Sequence, residues 1–237
     1  MPAEIIVSEL MRLLQSALFD VKSCDLTTME QRAVEIGRRA SELVMEEMLI
    51  SQEYEPVAVE CKCGGCAYIK DKRSRVQVTL AGSHNIRRTR YQCLSCGTWI
   101  CPRDTQLGIG SGGYSAGVVA LSSEVAAGFP FGASEDFLAR RFGLDLCYKQ
   151  VQRIAERTGA VIAKQEFEQA SEVIMGNVDI KSDFHHSIFT ISADGLMVHS
   201  DGAWTEMKCA SFISEENGRS TIATMERAEK FGELLYL

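Results

Sequence analysis

The stretch Cys61-Lys-Cys63-Gly-Gly-Cys66, followed by Cys93-Leu-Ser-Cys96-Gly and Cys101, contains six of the nine cysteines in this 237-residue chain. Two thiol clusters separated by strand-like sequence are typical of a zinc ribbon. A glycine follows Cys63 and another follows Cys96, where a turn around a metal ion needs backbone freedom. The stretch therefore predicts a zinc ribbon at residues 59–106 that depends on its metal for folding.

The sequence leaves undecided which thiols of the first cluster bind the metal. Cys93 and Cys96 form the clearer pair, and any two of Cys61, Cys63 and Cys66 complete a site of four thiolates. Cys101 is a spare thiol or an exchangeable ligand. Because the cysteine count is odd and we find no signal peptide, we expect a reducing compartment rather than a disulfide framework.

The charge of the chain is unevenly distributed. The formal net charge is −7, and the composition, 46% hydrophobic and 24% charged, is that of a soluble globular protein. Residues 1–60 contain five basic and twelve acidic side chains, whereas residues 61–104 contain nine basic and two acidic ones. Since phosphate neutralisation is local, the basic stretch favours docking on double-stranded DNA.

Two alternating stretches between the cysteine clusters, residues 75–80 and 86–91, predict a β-hairpin that turns at Gly82. We expect this hairpin to direct basic side chains outward. The candidate phosphate contacts are Lys70, Lys72, Arg73, Arg75, Arg87, Arg88 and Arg90. The alternative is a solvated charged face without a ligand.

Helical periodicity predicts two helices in an amino-terminal region at 1–58, one over residues 4–20 and one ending near Ile50. Asp25 or Thr27 caps the second helix. An amphipathic pair of this kind indicates packing or self-association. The glycine-rich residues 107–114 lack the Lys-Ser/Thr of a phosphate loop, so we interpret them as a hinge.

Three further helices, at about 115–127, 132–142 and 146–167, predict a helix-turn-helix domain at 114–170, with a tight turn at Gly143. The third helix displays side chains suited to bases and phosphates, namely Lys149, Gln152, Arg153 and Arg157. The alternative is an ordinary three-helix packing unit.

The carboxyl-terminal part begins with a polar linker at 177–183. Strands then follow at 187–193, 196–199 and 205–213, with an Asp-Gly turn at Asp194-Gly195. A short helical segment at 222–236 ends the chain. The predicted class is α+β.

Several motifs now stand in a recognisable order. They are Cys61-x-Cys63-Gly-Gly, Arg90-Tyr91-x-Cys93-x-x-Cys96-Gly, Pro102-x-Asp104, Leu107-Gly108, Tyr114-Ser115-x-Gly117-Val118, Ala126-Ala127-x-x-Pro130-Phe131, Ala193-Asp194-Gly195-x-Met197-Val198 and Trp204-x-Glu206-x-Lys208. From about Glu60 to Ile213, the chain resembles the amino-terminal half of the DDE transposases of ISKra-type insertion sequences.

The resemblance implies a bacterial protein of the cytoplasm and nucleoid that binds the DNA ends of its element. It also implies that residues 185–237 begin an RNase H-like domain, with Asp194 as the first catalytic carboxylate. In a complete domain, carboxylates hold two Mg²⁺ ions for strand transfer. The later carboxylates have no counterpart in the 43 residues after Asp194, so we expect a truncated transposase that does not cut DNA alone.

Two kinds of partner follow from that expectation. An unpaired sheet edge after Ile213 favours self-association or pairing with a separately encoded carboxyl-terminal half. The main alternative function is a transcription regulator that uses the same zinc ribbon and helix-turn-helix. A zinc-stabilised module for protein interaction, without DNA, is a further alternative.

Overall fold

The computed structural model describes residues 3–19, 23–52, 55–177, 190–200, 202–214 and 218–235. Over these residues the chain contains seven helices and two antiparallel sheets, which confirms the predicted α+β class. It divides into two compact units, Met1–Glu156 and Arg157–Leu237, with the boundary inside a long helix.

The elements have the following bounds. The helices are α1 Ala3–Leu18, α2 Leu26–Ser51, α3 Pro102–Gln106, α4 Ala116–Gly128, α5 Phe131–Phe142, α6 Tyr148–Ile174 and α7 Ala228–Leu235. The strands are β1 Ala58–Glu60, β2 Cys66–Thr79, β3 Gly82–Cys93, β4 Trp99–Ile100, β5 Thr190–Ser200, β6 Ala203–Ser214 and β7 Gly218–Thr224.

The first unit is organised around the long hairpin of β2 and β3, here called the ribbon. It runs from the pair Ala67↔Cys93 at its base to Thr79↔Gly82 at its turn, and β1 and β4 flank its base. The ribbon is longer than the two predicted stretches. Polar side chains near its base pair across the strands, as Asp71 does with Arg90, so the ladder extends beyond the apolar alternation.

Helix α2 contacts the ribbon. Its N-cap is Asp25, one of the two predicted caps, whose carboxylate accepts from the backbone N–H of Thr28 at 2.8 Å. The helix also approaches neighbouring elements of the unit. Arg103 donates to the carbonyl of Leu49 near the carboxyl end of α2, and Arg38 donates to the carbonyl of Arg141 in α5. These contacts tie α2 to the rest of the first unit.

The hinge interpretation of the glycine-rich segment is wrong, because this segment is bound to the ribbon. Arg75 on β2 donates to the carbonyls of Gly110 and Ser111 at 2.8 Å each, and also to that of Gly112. Backbone bonds between Val78 and its neighbours at 113 and 115 continue the attachment. A guanidinium that satisfies three carbonyls fixes a segment that its glycines would otherwise leave free.

Helices α4 to α6 pack around one apolar core. Gly143 caps the carboxyl end of α5 with a φ of 68°, and residues 143–147 lead into α6. The buried core residues are Val118, Val125, Leu138, Leu144, Leu146, Val151 and Ile154. The three helices fall close to their predicted positions, although α6 continues to Ile174. The helix-turn-helix assignment of this unit stays a prediction.

The second unit contains a three-stranded antiparallel meander of β5, β6 and β7, followed by α7. The predicted turn at Asp194-Gly195 is wrong: Asp194 lies in the middle of β5, opposite Cys209, and the chain reverses between Ser200 and Ala203. The predicted helix at 222–236 is also partly wrong, because β7 continues to Thr224. Residues 178–189, with most of the predicted linker and the first residues of the first strand, lie outside the described residues.

Candidate metal centre and nucleic-acid interface

Four cysteines converge at the base of the ribbon. The Sγ atoms of Cys61, Cys63, Cys93 and Cys96 all lie within 4.8 Å of one another. The sulfurs of Cys61 and Cys96 are 3.6 Å apart, as are those of Cys63 and Cys93. Tetrahedral zinc with Zn–S bonds of about 2.3 Å separates its sulfurs by about 3.8 Å. The cluster therefore has the donor atoms and the dimensions to hold one metal ion.

Two similar turns bring these sulfurs together. In the first, the N–H of Cys61 donates to the carbonyl of Gly65, and the N–H of Gly64 donates to the carbonyl of Cys61. In the second, Cys93 donates to the carbonyl of Thr98 and accepts from Gly97. Gly64 and Gly97 have φ angles of 80° and 71°, in the region that favours glycine. Each turn thus presents two thiols to the same point.

The electrostatics of the cluster favour a cation at its centre. Hydrogen bonds from Thr98 lower the pKa of Cys96 to about 6, and the backbone N–H of Cys96 lowers the pKa of Cys93. The N–H of Gly65 lowers the pKa of Cys63, but the surrounding cysteine side chains outweigh it and raise that pKa to about 12. A divalent metal ion would offset part of the thiolate charge that accumulates in one place in this way.

The structure also places the two other cysteines of this segment. Cys66 begins strand β2 and lies outside the cluster, so Cys61 and Cys63 are the pair that joins Cys93 and Cys96. Cys101 lies outside the cluster too. Burial lowers the pKa of Arg88, but hydrogen bonds with Cys101 and Asp104 outweigh burial and raise it. Cys101 is therefore a neighbour of an ion pair rather than a fifth ligand.

The expectation that the ribbon directs all its basic side chains outward is wrong for three arginines. Arg75 binds the glycine-rich segment, as described above. Arg88 forms an ion pair with Asp104 at 2.5 Å, in which the two side chains are 18% and 20% exposed. Arg90 donates twice to Asp71, at 2.8 and 3.0 Å, and stacks over the ring of Trp99. These guanidinium groups are used to hold the first unit together.

Other basic side chains of the ribbon do reach solvent. Lys70, Lys72, Arg73 and Arg87 are all exposed. Lys72 pairs with Glu55 at 2.5 Å, and Arg73 contacts Asp71 at 3.1 Å, but exposed pairs of this kind exchange readily with other anions. The ribbon thus keeps exposed basic side chains along both of its faces, and the term basic strip denotes Lys70, Arg73 and Arg87. Arg73 pairs across the strands with Arg88, and Arg87 pairs with Ser74, so these two arginines project from opposite faces.

Helix α6 exposes Lys149 and Arg153 near its start. The ammonium of Lys149 lies 5.9 Å from the ring centroid of Tyr148, which is also exposed. Gln152 is half-buried, and its amide donates to Glu156 at 2.7 Å. Arg157 is exposed but falls in the second unit. The predicted contacts on α6 are therefore accessible at two positions within the first unit.

Asp194 stands apart from other carboxylates on its sheet. Its Oδ1 accepts from the backbone N–H of Gly195 at 2.8 Å. Because Met197 pairs with Glu206 and Asp194 pairs with Cys209, the two acidic side chains occupy opposite faces, and Glu206 pairs instead with Lys208 at 3.1 Å. Among the described strand residues, no second carboxylate shares the face of Asp194.

Two comparisons with known proteins give no relative. No family model matches the chain, and no curated protein resembles it significantly. Across the part of the chain that the structure describes, no helix has the length and apolar character needed to span a bilayer.

Proposed function

We propose that this chain is a double-stranded DNA-binding protein of the transposase type, built on a ribbon that one structural zinc ion holds at its base. The observation that carries the proposal is the convergence of Cys61, Cys63, Cys93 and Cys96 beneath a two-stranded ribbon with a basic strip. Helix α6 provides the second contact with DNA, through Lys149 and Arg153.

Zinc is the metal that this donor set favours. Four thiolates are soft ligands, which disfavour magnesium and calcium, and the short sulfur–sulfur distances fit a single tetrahedral ion. A site closed by four protein ligands has no open position for a substrate, so the metal has a structural role.

Metal analysis tests the zinc site directly. We expect one zinc ion per chain, retained by the Cys66→Ser variant and lost by Cys93→Ser. Cobalt substitution should give the visible spectrum of a tetrathiolate centre in the parent and in Cys66→Ser. Metal content well below one per chain, or equal loss in both variants, would contradict the assignment.

The shape and charge of the first unit support DNA as the ligand. The major groove admits a two-stranded ribbon or an α-helix, and the unit presents one of each with exposed basic residues. Residues 61–104 have a formal charge of +7, which four thiolates and one zinc ion reduce to about +5. A positive surface on a chain of net charge −7 restricts phosphate binding to this region.

Salt-dependent binding to duplex DNA tests this part. If Lys70, Arg73 and Arg87 each contact one phosphate, replacing all three with alanine lowers the slope of log affinity against log salt by about 2.7. Arg153→Ala should instead change sequence preference if this side chain reaches a base edge.

The control replaces Arg12 and Arg39, two exposed arginines on α1 and α2 with 74% and 47% of their side chains accessible, and it should leave the slope unchanged. The DNA proposal fails if the parent does not bind duplex DNA at low salt. It also fails if the control lowers the slope as much as the triple replacement does.

The transposase part rests on the ordered motifs and on Asp194. Magnesium chemistry would require further carboxylates beside Asp194, which its face of the described sheet does not supply. A transcription regulator with the same zinc ribbon shares the DNA contacts, and the isolation of Asp194 favours it over an active enzyme. Terminal inverted repeats beside the gene, bound by the protein, would support the transposase origin; their absence would favour the regulator.

A further inference from the structure

Helix α1 has an apolar surface that is wider than α2 alone covers. One row of side chains, Ile6, Leu10, Leu13 and Ala17, is buried or half-buried. A second row, one residue further along at each step, is exposed: Val7, Met11, Leu14 and Leu18, with between 47% and 71% of each side chain accessible. Because α2 covers only the first row, a second surface would have to pack against α1 to remove the second row from water.

The spacing of the exposed row indicates a helical occupant. Its intervals of four, three and four residues are those of alternating core positions in a coiled coil. Of the described side chains that flank this row, Ser8, Gln15 and Ala17 have no charge. Glu9 and Arg12 lie away from this row, and the Arg12 guanidinium donates to the Glu9 carboxylate at 2.6 and 2.9 Å.

Helix α2 extends the same surface. Val44 and Met48 are exposed and line a groove together with Val7. Three further uncharged positions, Val34, Gly37 and Ser41, precede them at intervals of three and four residues. We define the apolar seam as Val7, Met11, Leu14, Leu18, Val44 and Met48.

Gly37 is an independent sign of close packing on this side of α2. Apart from its chain neighbours and the adjacent backbone of α2, no atom among the described residues lies within 4 Å of the position that a Cβ atom would occupy there. A glycine in the middle of a helix is about 1 kcal/mol less favourable than alanine. No side chain of the described residues packs against Gly37, so a helix of another molecule could approach α2 closely at this point.

We propose that a second copy of this chain packs against the apolar seam, so that the two α1–α2 pairs form a four-helix interface around a two-fold axis. Two-fold contacts place the same patch on both molecules, and an apolar patch is complementary to itself. The flanks of the row on α1 are uncharged, whereas Glu47 lines the groove on the side of α2. The acidic side chains of residues 1–60 repel each other between two copies, so burial of the apolar seam has to outweigh this repulsion.

The area of the seam agrees with a dimer. Its six residues are each between 39% and 71% exposed, which is on the order of 500 Å² per copy, so the residues at its rim must supply the remainder of the roughly 600–1,000 Å² per partner that stable complexes bury. The dimer interface is formed by α1 and α2, and no residue of the thiol cluster or the basic strip lies on these helices. It is therefore separate from the proposed zinc and DNA sites.

Sedimentation velocity of the zinc-loaded full chain tests the proposal. The parent, of 26.2 kDa, should sediment as a dimer of about twice that mass at micromolar concentrations. Met11→Glu with Leu14→Glu should sediment as a monomer, because charge would be buried at the seam. Both side chains are exposed in the protomer, so circular dichroism and zinc content should match the parent.

A second variant and a control complete the test. The space around a Cβ at Gly37 is open among the described residues, and Gly37→Leu should weaken the dimer at least tenfold. Val161→Glu, at an exposed apolar position on α6, should leave the dimer unchanged. A monomeric parent at 100 µM or so would overturn the proposal. So would a dimer that neither seam variant weakens, or one that Val161→Glu disrupts equally.

Discussion

The base of the ribbon and the sheet around Asp194 both present residues of metal-binding type, but only the first brings its ligands together. At the ribbon, four sulfurs lie within 4.8 Å of one another. On the sheet, no other described strand residue on the face of Asp194 carries a carboxylate, and Glu206 lies on the opposite face. The thiol cluster is complete within one segment of the chain, whereas Asp194 would need carboxylates from distant segments to form a metal site.

This difference follows from how each site is built. Each thiol pair lies on a turn of five or six residues closed by its own backbone hydrogen bonds, so a single hairpin is enough to join the two pairs. A magnesium site for phosphate chemistry needs carboxylates from several elements, because each ion requires several oxygen ligands. Local closure therefore makes the thiol cluster predictable, whereas the role of Asp194 rests on resemblance alone.

The largest effect we predict is on the thiol cluster. Cys96→Ser should remove the metal and most of its contribution to folding, which is about 10 kcal/mol for structural zinc in small modules. Circular dichroism and limited proteolysis should report an unfolded ribbon base. A chelator should produce the same change in the parent.

Cys66→Ser is the matched comparison, because Cys66 belongs to the same segment but not to the cluster. It should keep the fold and resist the chelator as the parent does. If Cys66→Ser unfolds the ribbon while Cys96→Ser does not, the assignment of ligands is wrong.

A smaller effect should distinguish two adjacent arginines of the ribbon. Arg88→Ala leaves the half-buried carboxylate of Asp104 without its partner and should lower the free energy of unfolding by about 2 kcal/mol. Arg87 is exposed, and Arg87→Ala should change it by less than about 0.5 kcal/mol. Denaturant titration of the two zinc-loaded variants gives both values.

For DNA binding, Arg87→Ala should have the larger effect of the two substitutions, since Arg87 belongs to the basic strip and Arg88 does not. Arg87→Ala should lower the salt slope by about 0.9, whereas Arg88→Ala should leave the slope unchanged under conditions where it is folded. Equal slopes for the two variants would mean that the basic strip is wrongly defined.

The smallest effect should come from Asp194. Asp194→Asn should change neither the unfolding free energy, beyond about 0.5 kcal/mol, nor the binding of Mg²⁺ by this chain. The parent should not cleave terminal-repeat DNA with Mg²⁺ or Mn²⁺. Cleavage that Asp194→Asn abolishes would show that carboxylates elsewhere complete the site.

Much of the first unit could be predicted because its signals are local. The cysteine pairs, the cap at Asp25 and the helical periods of α1 and α4–α6 each depend on a few neighbouring residues. The choice between Cys63 and Cys66 could not be made from spacing. It depends on where strand β2 begins, and that is set by the pairing of Cys66 with Glu60.

The use of the arginines was harder to predict because it depends on contacts between distant segments. Nothing in the local sequence connects Arg75 to the carbonyls of residues 110–112, or Arg88 to Asp104. The one available signal was the presence of Asp71 and Asp104 in an otherwise basic stretch. Similarly, two Asp-Gly pairs compete for one turn in the second unit, and the register of β5 with β6 selects the later pair.

The most direct test of the account follows binding of the full chain to a fluorescent DNA duplex before and after its zinc is removed. We predict tight binding at low salt that weakens steeply as salt rises, is lost on chelation and returns when zinc is restored. Two results would contradict this prediction. One is DNA binding that persists unchanged after the metal has been removed, and the other is a zinc-loaded chain that does not bind duplex DNA at low salt.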